Sequence, residues 1–304
     1  MDRKTSYHIP VLLQECIQGL KIKPDGVYVD VTFGGGGHAK EIFKRITDKG
    51  KLIVFDQDPD AKLNTWEAPN FNFIPANFTF LGNHLKAQKY TAIDGLLADL
   101  GVSSHQFDSP ERGFSIRENA PLDMRMNQNA LRSAFDIVNS DSEEKLISIF
   151  RNYGELSNSR ALASEIIRQR ASKTIATTFE LMSVLQPFAP KFKDHKFYAQ
   201  VFQAIRIEAN QELEALKQLL LQTTELLNPG GRLVVISYHS LEDRLVKNFM
   251  KRGSFDGKIE KDFFGNSIKP FKEVVKHPLV PKDDEIKLNT RARSAKLRIA
   301  EKND

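Results

Sequence analysis

Residues 27–39 read VYVDVTFGGGGHA, and this stretch decides the architecture of the chain. Its first half is a β-branched and aromatic run typical of a buried strand, and an apolar-periodic helix follows four consecutive glycines. A backbone that turns sharply and approaches a ligand needs glycine, because a Cβ would stand in the way. The N–H groups at the start of the next helix are then free to bind that ligand. The order of strand, glycine loop and helix predicts a nucleotide-binding turn.

Two classes of cofactor use such a turn. Gly34, Gly36 and Ala39 satisfy the dinucleotide fingerprint G-x-G-x-x-G/A, and Asp56 follows about 20 residues later, where a ribose-binding acid is expected. Asp30, however, stands where the strand meets the loop. An acid there favours a cofactor with a cationic end, such as S-adenosylmethionine. The alternative for Asp30 is that its carboxylate only accepts N–H groups of the loop.

Bulk composition limits the class of protein. The 304 residues are 40% hydrophobic and 27% charged, which is typical of a folded chain with one large or two moderate domains. No apolar run approaches the roughly 20 residues that span a bilayer, and the N-terminus lacks the apolar segment of an export signal. Cys16 is the one cysteine, and no metal-ligand spacing is present. We therefore expect a cytoplasmic protein that does not associate with membranes, and we predict no metal site, although the sequence leaves open whether a metal helps. A net charge of +5 permits a polyanionic partner.

Strands alternate with helical stretches in the first third of the chain. An N-terminal helix is expected from Val11 to Leu20, and the tail at 295–300 alternates like an edge or hairpin strand. A long helix is predicted at 197–227, ended by the NPGG turn, and a helix N-cap at Ser240. Five further strands are predicted in the first half of 27–39 and at 51–56, 71–75, 93–100 and 232–237. This order predicts a mostly parallel α/β sheet with crossover helices.

Between about 105 and 194 the alternation stops, and only helical apolar stripes remain. We therefore predict an inserted helical, substrate-recognition subdomain at 105–194. Residues 1–104 and 195–304 would form the cofactor-binding domain. Ligands of parallel sheets bind at the carboxyl ends of the strands, so the glycine loop, Asp56, Phe78 and Asp99 are predicted to share one site. Phe78 is expected to stack on adenine, although a loop phenylalanine is about as often part of the core.

Several unusual strings follow one another along the chain. They are HIPVLL at 8–13, GGGGH at 34–38, DLGVSS at 99–104, ERGF at 111–114, PLDMRM at 121–126, FQAIRI at 202–207, SYHSLEDR at 237–244 and RARSA at 291–295. From about residue 7 to residue 301, the sequence resembles the bacterial ribosomal RNA small subunit methyltransferase H family. It departs from that family at Gly35, where members often carry Arg, and at Ile9, where they often carry Thr.

The resemblance implies a Rossmann-like class I methyltransferase fold. It also implies methyl transfer from S-adenosylmethionine to the exocyclic N4 of a cytidine in the decoding region of 16S rRNA, with 16S rRNA or the small ribosomal subunit as the partner. The cofactor contacts that it implies are Gly36, Gly37, His38, Asp56, Phe78, Asp99 and Gln106.

The chemistry of a cytosine amino group requires hydrogen-bond acceptors near the nitrogen, because its lone pair is delocalised into the ring. Many amino methyltransferases supply them from a D/N/S-P-P-Y/F string after the fourth strand, but here that place reads DLGVSS. Motif logic without the resemblance therefore does not predict N4 of cytosine. Our hypothesis is that Asp99 or the backbone of residues 102–104 supplies the acceptors, with His239 near the target base. The alternative for His239 is a structural loop histidine.

Basic residues around Phe114 suggest how RNA is held. We predict that Arg112, Arg117 and Arg125 contact phosphates while Phe114 stacks on a flipped base, although each charge could equally belong to a solvated face. Phosphate contacts are also predicted for Arg291 and Arg293. Lysines and arginines gather in 191–196, 244–252 and 291–298 as well.

Two other functions stay open on the sequence. The dinucleotide fingerprint permits an NAD-dependent dehydrogenase, and a non-catalytic RNA-binding assembly factor could retain the same fold. The sequence also leaves open whether the substrate is free RNA or an assembled particle, and whether the chain forms a homodimer.

Overall fold

The computed structural model describes residues 10–259, 261, 263–265 and 269–304. The first residues of the N-terminal string, His8 and Ile9, lie outside this part of the chain. Two compact units are present. The first, here called the sheet unit, comprises Met1–Gly101 and Leu213–Asp304. The second, here called the insert, is Val102–Glu212.

The sheet unit alternates strands and helices, as predicted. Its first half contains α1 (Leu13–Leu20), β1 (Val27–Asp30), α2 (Gly37–Phe43), β2 (Lys51–Phe55), β3 (Phe71–Ile74), α3 (Leu81–Ala87) and β4 (Ile93–Asp99). The insert follows with α4 (Ser104–Asp108), α5 (Ala134–Ser140), α6 (Glu143–Asn152), α7 (Ser159–Arg170), α8 (Thr178–Leu185) and α9 (Asp194–Asn210). The chain then forms α10 (Glu212–Leu226), β5 (Leu227–Ser237), α11 (Ser240–Arg252), β6 (Phe271–Glu273), α12 (Asp283–Leu288) and β7 (Lys296–Lys302).

One mixed sheet of seven strands organises the sheet unit, in the order β3-β2-β1-β4-β5-β7-β6. Strands β1 to β5 are parallel, whereas β7 runs antiparallel to both β5 and β6. The predicted tail strand therefore exists as β7, but β6, which the sequence analysis missed, occupies the edge beside it. A three-residue strand is too short to show an alternating pattern. The predicted α/β class with a mostly parallel sheet is confirmed.

Apolar side chains cover both faces of this sheet, as a parallel sheet flanked by helices requires. Val29 and Ile53 pack on one face with residues of α3, α10 and α11. Tyr28 and Leu52 pack on the other face with residues of α1 and α2. The strands therefore stand between two apolar layers, and their carboxyl ends are the edge at which polar side chains collect.

The long helix predicted at 197–227 is two helices. Gln211 has φ +51°, in the left-handed region, and this residue separates α9 from α10. The prediction of one continuous helix was wrong at this single residue. The apolar periodicity continues across the break, and no glycine or proline marks it. The NPGG residues, expected to end the helix, are part of β5, which begins at Leu227.

The insert has its own apolar core, and α9 belongs to it. Phe197, Val201, Phe202 and Ile205 of α9 are buried among side chains of α5 to α8. The insert therefore extends to Glu212, whereas the sequence analysis placed its end at residue 194. That boundary was drawn where the basic stretch ends, but the buried face of the following helix packs on the insert core.

Two smaller points concern helices. The N-cap of α11 is His239 rather than the predicted Ser240, which is the first helical residue. Among the described residues, no helix combines the length and the apolar character needed to cross a membrane.

Candidate functional site

Three acidic side chains mark the carboxyl edge of the parallel strands in the sheet unit. Asp30 is the last residue of β1, Asp99 is the last residue of β4, and Asp56 directly follows β2. These strands are neighbours, because β1 pairs with both β2 and β4. The strand-end rule therefore brings three of the residues selected from the sequence to one edge of the sheet.

The glycine loop at 34–37 has the backbone that its composition predicts. Gly34 and Gly36 have φ of +49° and +73°, in the region that favours glycine. A Cβ on Gly37 would lie 2.2 Å from Cγ of Pro10, so this position has no room for a side chain. At Gly35, by contrast, a Cβ would meet nothing within 4 Å. Position 35 therefore has room for the arginine that members of the resembled family often carry there.

Asp56 holds the glycine loop in place. Its Oδ2 accepts a hydrogen bond from the backbone N–H of Gly34 at 2.7 Å, and its Oδ1 accepts one from the N–H of Asp58 at 2.8 Å. Burial raises the pKa of Asp56 to about 6, and the backbone hydrogen bonds oppose that rise. The backbone N–H of Gln57 bonds this carboxyl as well. A carboxylate has about four acceptor positions, so Asp56 can still accept a predicted hydrogen bond from a ribose hydroxyl.

Asp30 is almost completely buried, with 1% of its surface exposed. Its Oδ1 accepts from the N–H of Thr32 at 3.0 Å, so the local capping that we considered does occur. No described residue donates a hydrogen bond to its Oδ2. Burial raises the pKa of Asp30 to about 6, and the neighbouring His38 opposes the rise. Capping thus uses one oxygen and leaves the other for a ligand.

Asp99 is held from two sides. Its backbone N–H donates to Oγ1 of Thr32 at 2.6 Å, and its Oδ1 accepts from the hydroxyl of Tyr238 at 2.8 Å. The Oδ2 atom lies 3.8 Å from Nδ1 of His38. Burial raises the pKa of Asp99 to about 7, which the Tyr238 hydrogen bond partly offsets. The oxygen not bonded to Tyr238 is therefore a candidate acceptor close to the glycine loop.

Sequence reasoning did not select Thr32 or Tyr238 as site residues. Thr32 bonds both Asp30 and Asp99 and so connects the ends of β1 and β4. Tyr238 follows β5 and is 139 positions away from Asp99 in the sequence. Two signals in the sequence mark Tyr238: it directly follows β5, at the carboxyl end of a parallel strand, and it belongs to the SYHSLEDR string.

His38 is a buried imidazole in the first turn of α2. Its Nε2 lies 3.0 Å from the carbonyl oxygen of Val11, so we assign the proton to Nε2 and an unprotonated acceptor to Nδ1. Burial lowers the pKa of His38, although the nearby Asp30 carboxyl opposes this. A neutral ring of this kind fixes the start of α2 against the segment before α1.

Phe78 begins a short 3₁₀ turn after β3 and is half-buried. Asn77 positions this turn, because its Oδ1 accepts from the N–H of Thr79 at 2.8 Å and its Nδ2 donates to Oε1 of Gln57 at 2.8 Å. The ring packs partly on the sheet-unit core. One part of its surface thus lies in the core and another is exposed, and its stacking on adenine stays a prediction.

Gln106 lies in the insert, where it is part of a capping box at the start of α4. Its backbone N–H donates to Oγ of Ser103 at 3.2 Å, and its Oε1 accepts from the N–H of Ser103 at 3.0 Å. Residues 102–104, considered above as backbone acceptors, are also part of the insert. Their roles toward a cofactor stay predictions.

His239 has a clear structural role. Its Nδ1 accepts from the N–H of Glu242 at 3.4 Å as the N-cap of α11, and its Nε2 lies 3.2 Å from Oε1 of the same glutamate. The other oxygen of Glu242 accepts from the N–H of Tyr238 at 2.9 Å. This pair fixes the turn that carries Tyr238, and it supports the structural alternative for His239.

Two of the predicted RNA contacts, Arg112 and Phe114 of the ERGF string, are not available at the surface. Arg112 is 4% exposed, and its guanidinium donates to the carbonyl oxygens of Arg125 and Met126 at 3.0 Å each. Phe114 is 5% exposed and belongs to the insert core. Arg125 is bound by Asp123 at 2.7 Å. The predictions for Arg112 and Phe114 were therefore wrong, because an irregular loop needs donors for its buried carbonyl groups.

The remaining predicted arginines are exposed. Arg117 lies at the surface of the insert. Arg291 and Arg293 are exposed in a short 3₁₀ turn before β7. Their contacts with RNA stay predictions.

The acids at the strand edge suit a cationic ligand. Asp30, Asp56 and Asp99 all have raised pKa values, with burial as the main cause. No lysine or arginine among the described residues forms an ion pair with them. A positively charged group would therefore be attracted here, whereas the pyrophosphate of a dinucleotide would face the Asp30 and Asp99 carboxyl groups.

Comparison with known proteins agrees with this chemistry. A family model described as the MraW methylase family matches residues 5–303. A protein of Parabacteroides distasonis named ribosomal RNA small subunit methyltransferase H is 55% identical over 304 residues, covering 99% of this chain and 100% of that one. The protein of the same name from Cytophaga hutchinsonii is 56% identical over 298 residues, covering 97% and 99%.

Solved structures overlap with this chain only loosely. An rRNA methylase from Streptococcus thermophilus is 10% identical, with a TM-score of 0.41 over 96% of this chain and 95% of that one. At that score the overlap supports no conclusion, so the family match and the full-length relatives carry the comparison.

Proposed function

Because the chain belongs to the MraW methylase family, we propose that it transfers a methyl group from S-adenosylmethionine to the exocyclic N4 of a cytidine in the decoding region of 16S rRNA. The observation that carries this proposal is the full-length identity of about 55% with proteins named ribosomal RNA small subunit methyltransferase H. The class I methyltransferase fold, with acids at the carboxyl ends of β1, β2 and β4, supports it independently.

The proposed cofactor ligands are Gly36, Gly37, His38, Asp56, Phe78, Asp99 and Gln106. In this proposal the N–H groups of the glycine loop and the Asp56 carboxylate hold the ribose, and Phe78 stacks on the adenine. The buried oxygen of Asp30 that lacks a donor faces the cationic end. When bound, S-adenosylmethionine supplies an electrophilic methyl carbon on a sulfonium.

Transfer forms an N–C bond, breaks an S–C bond and releases one proton from the cytidine nitrogen. A group that accepts an N–H of the amine draws its nitrogen toward tetrahedral geometry and frees its lone pair. Oδ2 of Asp99 suits this role, because Oδ1 is bonded to Tyr238. With a pKa near 7, the Asp99 carboxyl is ionised in a large part of the molecules at neutral pH and accepts the released proton readily.

We further propose that the sheet unit supplies all of the proposed cofactor ligands except Gln106 and that the insert contacts the RNA. Cytoplasmic location follows from a ribosomal substrate. A homodimer is a separate proposal that sedimentation of the full chain tests directly.

Transfer of labelled methyl groups tests the proposed function. Small ribosomal subunits that lack the modification and free 16S rRNA are each incubated with the protein and labelled S-adenosylmethionine, and the product nucleoside is identified. Label on N4 of one cytidine supports the proposal, and the two substrates show whether the particle is required. No transfer to either substrate, with S-adenosylhomocysteine binding intact, would favour the assembly-factor function. Tight NAD binding without affinity for S-adenosylhomocysteine would favour the dehydrogenase.

A further inference from the structure

A short turn before α9 presents an aromatic ring at the surface of the insert. The N–H of Lys193 donates to the carbonyl oxygen of Pro190 at 3.1 Å and closes the turn. Residues 191–196, with the sequence KFKDHK, are all exposed. We call residues 190–196, which comprise this turn and the first three residues of α9, the Phe192 turn.

Phe192 stands out in two ways. Its side chain is 100% exposed, whereas Phe114 and the two phenylalanines of α9, Phe197 and Phe202, are buried. Its φ is +64°, in the left-handed region that bulky side chains rarely adopt. A fully exposed aromatic residue with a strained backbone gains nothing from the folded insert, so its placement suggests contact with another molecule.

The lysines of the insert divide into two groups. Lys145 binds Glu208 at 2.8 Å, and Lys173 binds Glu180 at 2.7 Å. The other three, Lys191, Lys193 and Lys196, form no ion pair with any described residue. All three unpaired lysines flank Phe192, and a single acid, Asp194, lies among them.

The insert also lacks the aromatic contact that its sequence first suggested. Phe114 is in the core and Arg112 donates to backbone carbonyl groups, so neither is free to meet a nucleic acid. A planar ring that every base can stack on, surrounded by cations that reach phosphates, is the arrangement that binds single-stranded nucleic acid.

We propose that the Phe192 turn is a contact surface for single-stranded RNA, in which the Phe192 ring stacks on a nucleobase and Lys191, Lys193 and Lys196 contact neighbouring phosphates. This inference rests on the proposed function, since it names where the substrate of that reaction is held. The exposed phenylalanine and the unpaired lysines identify the partner as a flexible polyanion with aromatic faces.

Substitutions of Phe192 in the full-length protein test the stacking. Binding of an unmodified 16S rRNA transcript and of small ribosomal subunits is measured, together with the KM and kcat of methyl transfer. Phe192→Ala is expected to weaken RNA binding by roughly 10-fold or more, because a base–aromatic stack is lost. Phe192→Tyr keeps the planar ring and should bind like the wild type. Phe192→Leu keeps apolar area without the ring and should bind like the alanine variant.

A lysine variant tests the phosphate contacts. Lys191→Gln combined with Lys193→Gln should reduce the slope of log affinity against log salt by about 1.4, which is about 0.7 for each phosphate contact on a single strand. The affinity for S-adenosylhomocysteine and the melting temperature should not change in any of these variants, because the side chains are exposed.

The outcomes separate the two levels of the proposal. If the wild type transfers methyl groups but Phe192→Ala or Phe192→Leu binds RNA as the wild type does, the Phe192 contact is refuted while the proposed function stands. Weaker binding to particles with unchanged binding to the transcript would identify a ribosomal protein as the partner and refute the RNA contact. A lower melting temperature would show that the ring is structural. If the wild type transfers no methyl group, the proposed function fails, and the transcript binding still decides the contact.

Discussion

The three acids at the strand edge of the sheet unit and two acids of the insert, Asp123 and Asp136, are used in opposite ways. At the strand edge, burial raises the pKa of Asp30 and Asp56 to about 6 and that of Asp99 to about 7, and no lysine or arginine of the described chain pairs with them. In the insert, burial tends to raise the pKa of Asp123, but the hydrogen bonds from Arg125 outweigh burial and lower this pKa. A hydrogen bond from Ser133 likewise lowers the pKa of Asp136.

This difference separates charges that serve a ligand from charges that serve the fold. A buried carboxyl without a cation costs free energy in the folded chain, so its presence indicates a site completed by another molecule. In an irregular loop, the donor that binds an acid compensates the charge of that acid, and the pair orders the backbone around it. The polar residues of the ERGF and PLDMRM strings therefore stabilise the fold of the insert more than their composition suggests.

The largest effect is expected from Asp99→Asn, which removes the negative charge but keeps an oxygen for Tyr238. The kcat of methyl transfer at saturating S-adenosylmethionine should fall about 1000-fold, because a proton acceptor at the reacting amine is lost. The exposed Asp48→Asn carries the same change of charge and should leave kcat unchanged. Activity of Asp99→Asn within threefold of the wild type would remove Asp99 from the reaction.

Arg112→Ala tests whether the ERGF string stabilises the insert. Two buried carbonyl groups lose their donor, so the free energy of unfolding should fall by about 3 kcal/mol. The exposed Arg117→Ala is the matched control and should cost less than about 0.5 kcal/mol. Urea titration of both variants measures this. Equal stability of the two, with weaker RNA binding for Arg112→Ala, would restore the phosphate contact that the sequence suggested.

The raised pKa values predict an effect of pH on cofactor binding. The folded chain holds protons on Asp30, Asp56 and Asp99 more tightly than the unfolded chain. Their contribution to stability is therefore present below about pH 4 and is lost as the pH rises through 6 to 7. The ionised acids attract an ammonium group, so S-adenosylhomocysteine should bind about 10-fold more tightly at pH 7.5 than at pH 5.5. Calorimetry across this range measures the change, and an affinity independent of pH would show that these acids do not face the ligand.

The smallest effect concerns His239. His239→Ala removes the N-cap of α11 and should lower the free energy of unfolding by about 1 kcal/mol, whereas His239→Asn should retain most of it, because asparagine also caps helices. If His239→Asn keeps stability but loses methyl transfer at saturating cofactor, His239 acts on the substrate as well as on the helix.

Most of the candidate site was predictable, because its residues follow a general rule. The glycine loop, Asp30, Asp56 and Asp99 all lie at carboxyl ends of parallel strands, and the strands themselves show in the pattern of apolar residues. Tyr238 was not found, since its partner Asp99 is 139 positions distant and no local pattern records that contact. The break at Gln211 was missed because a residue with a side chain adopts a conformation that usually signals glycine.

Local sequence was enough to establish six of the seven strands, the glycine turn, the inserted helical unit and the acids that mark the candidate site. These features depend on which residues are apolar, how often they recur and where glycine is required, and all of this is written within a few neighbouring positions. The use of each polar side chain depended on the folded chain instead. Arg112 became a donor to backbone carbonyls and Phe192 remained exposed, because hydrogen-bond partners and burial come from segments that meet only after folding.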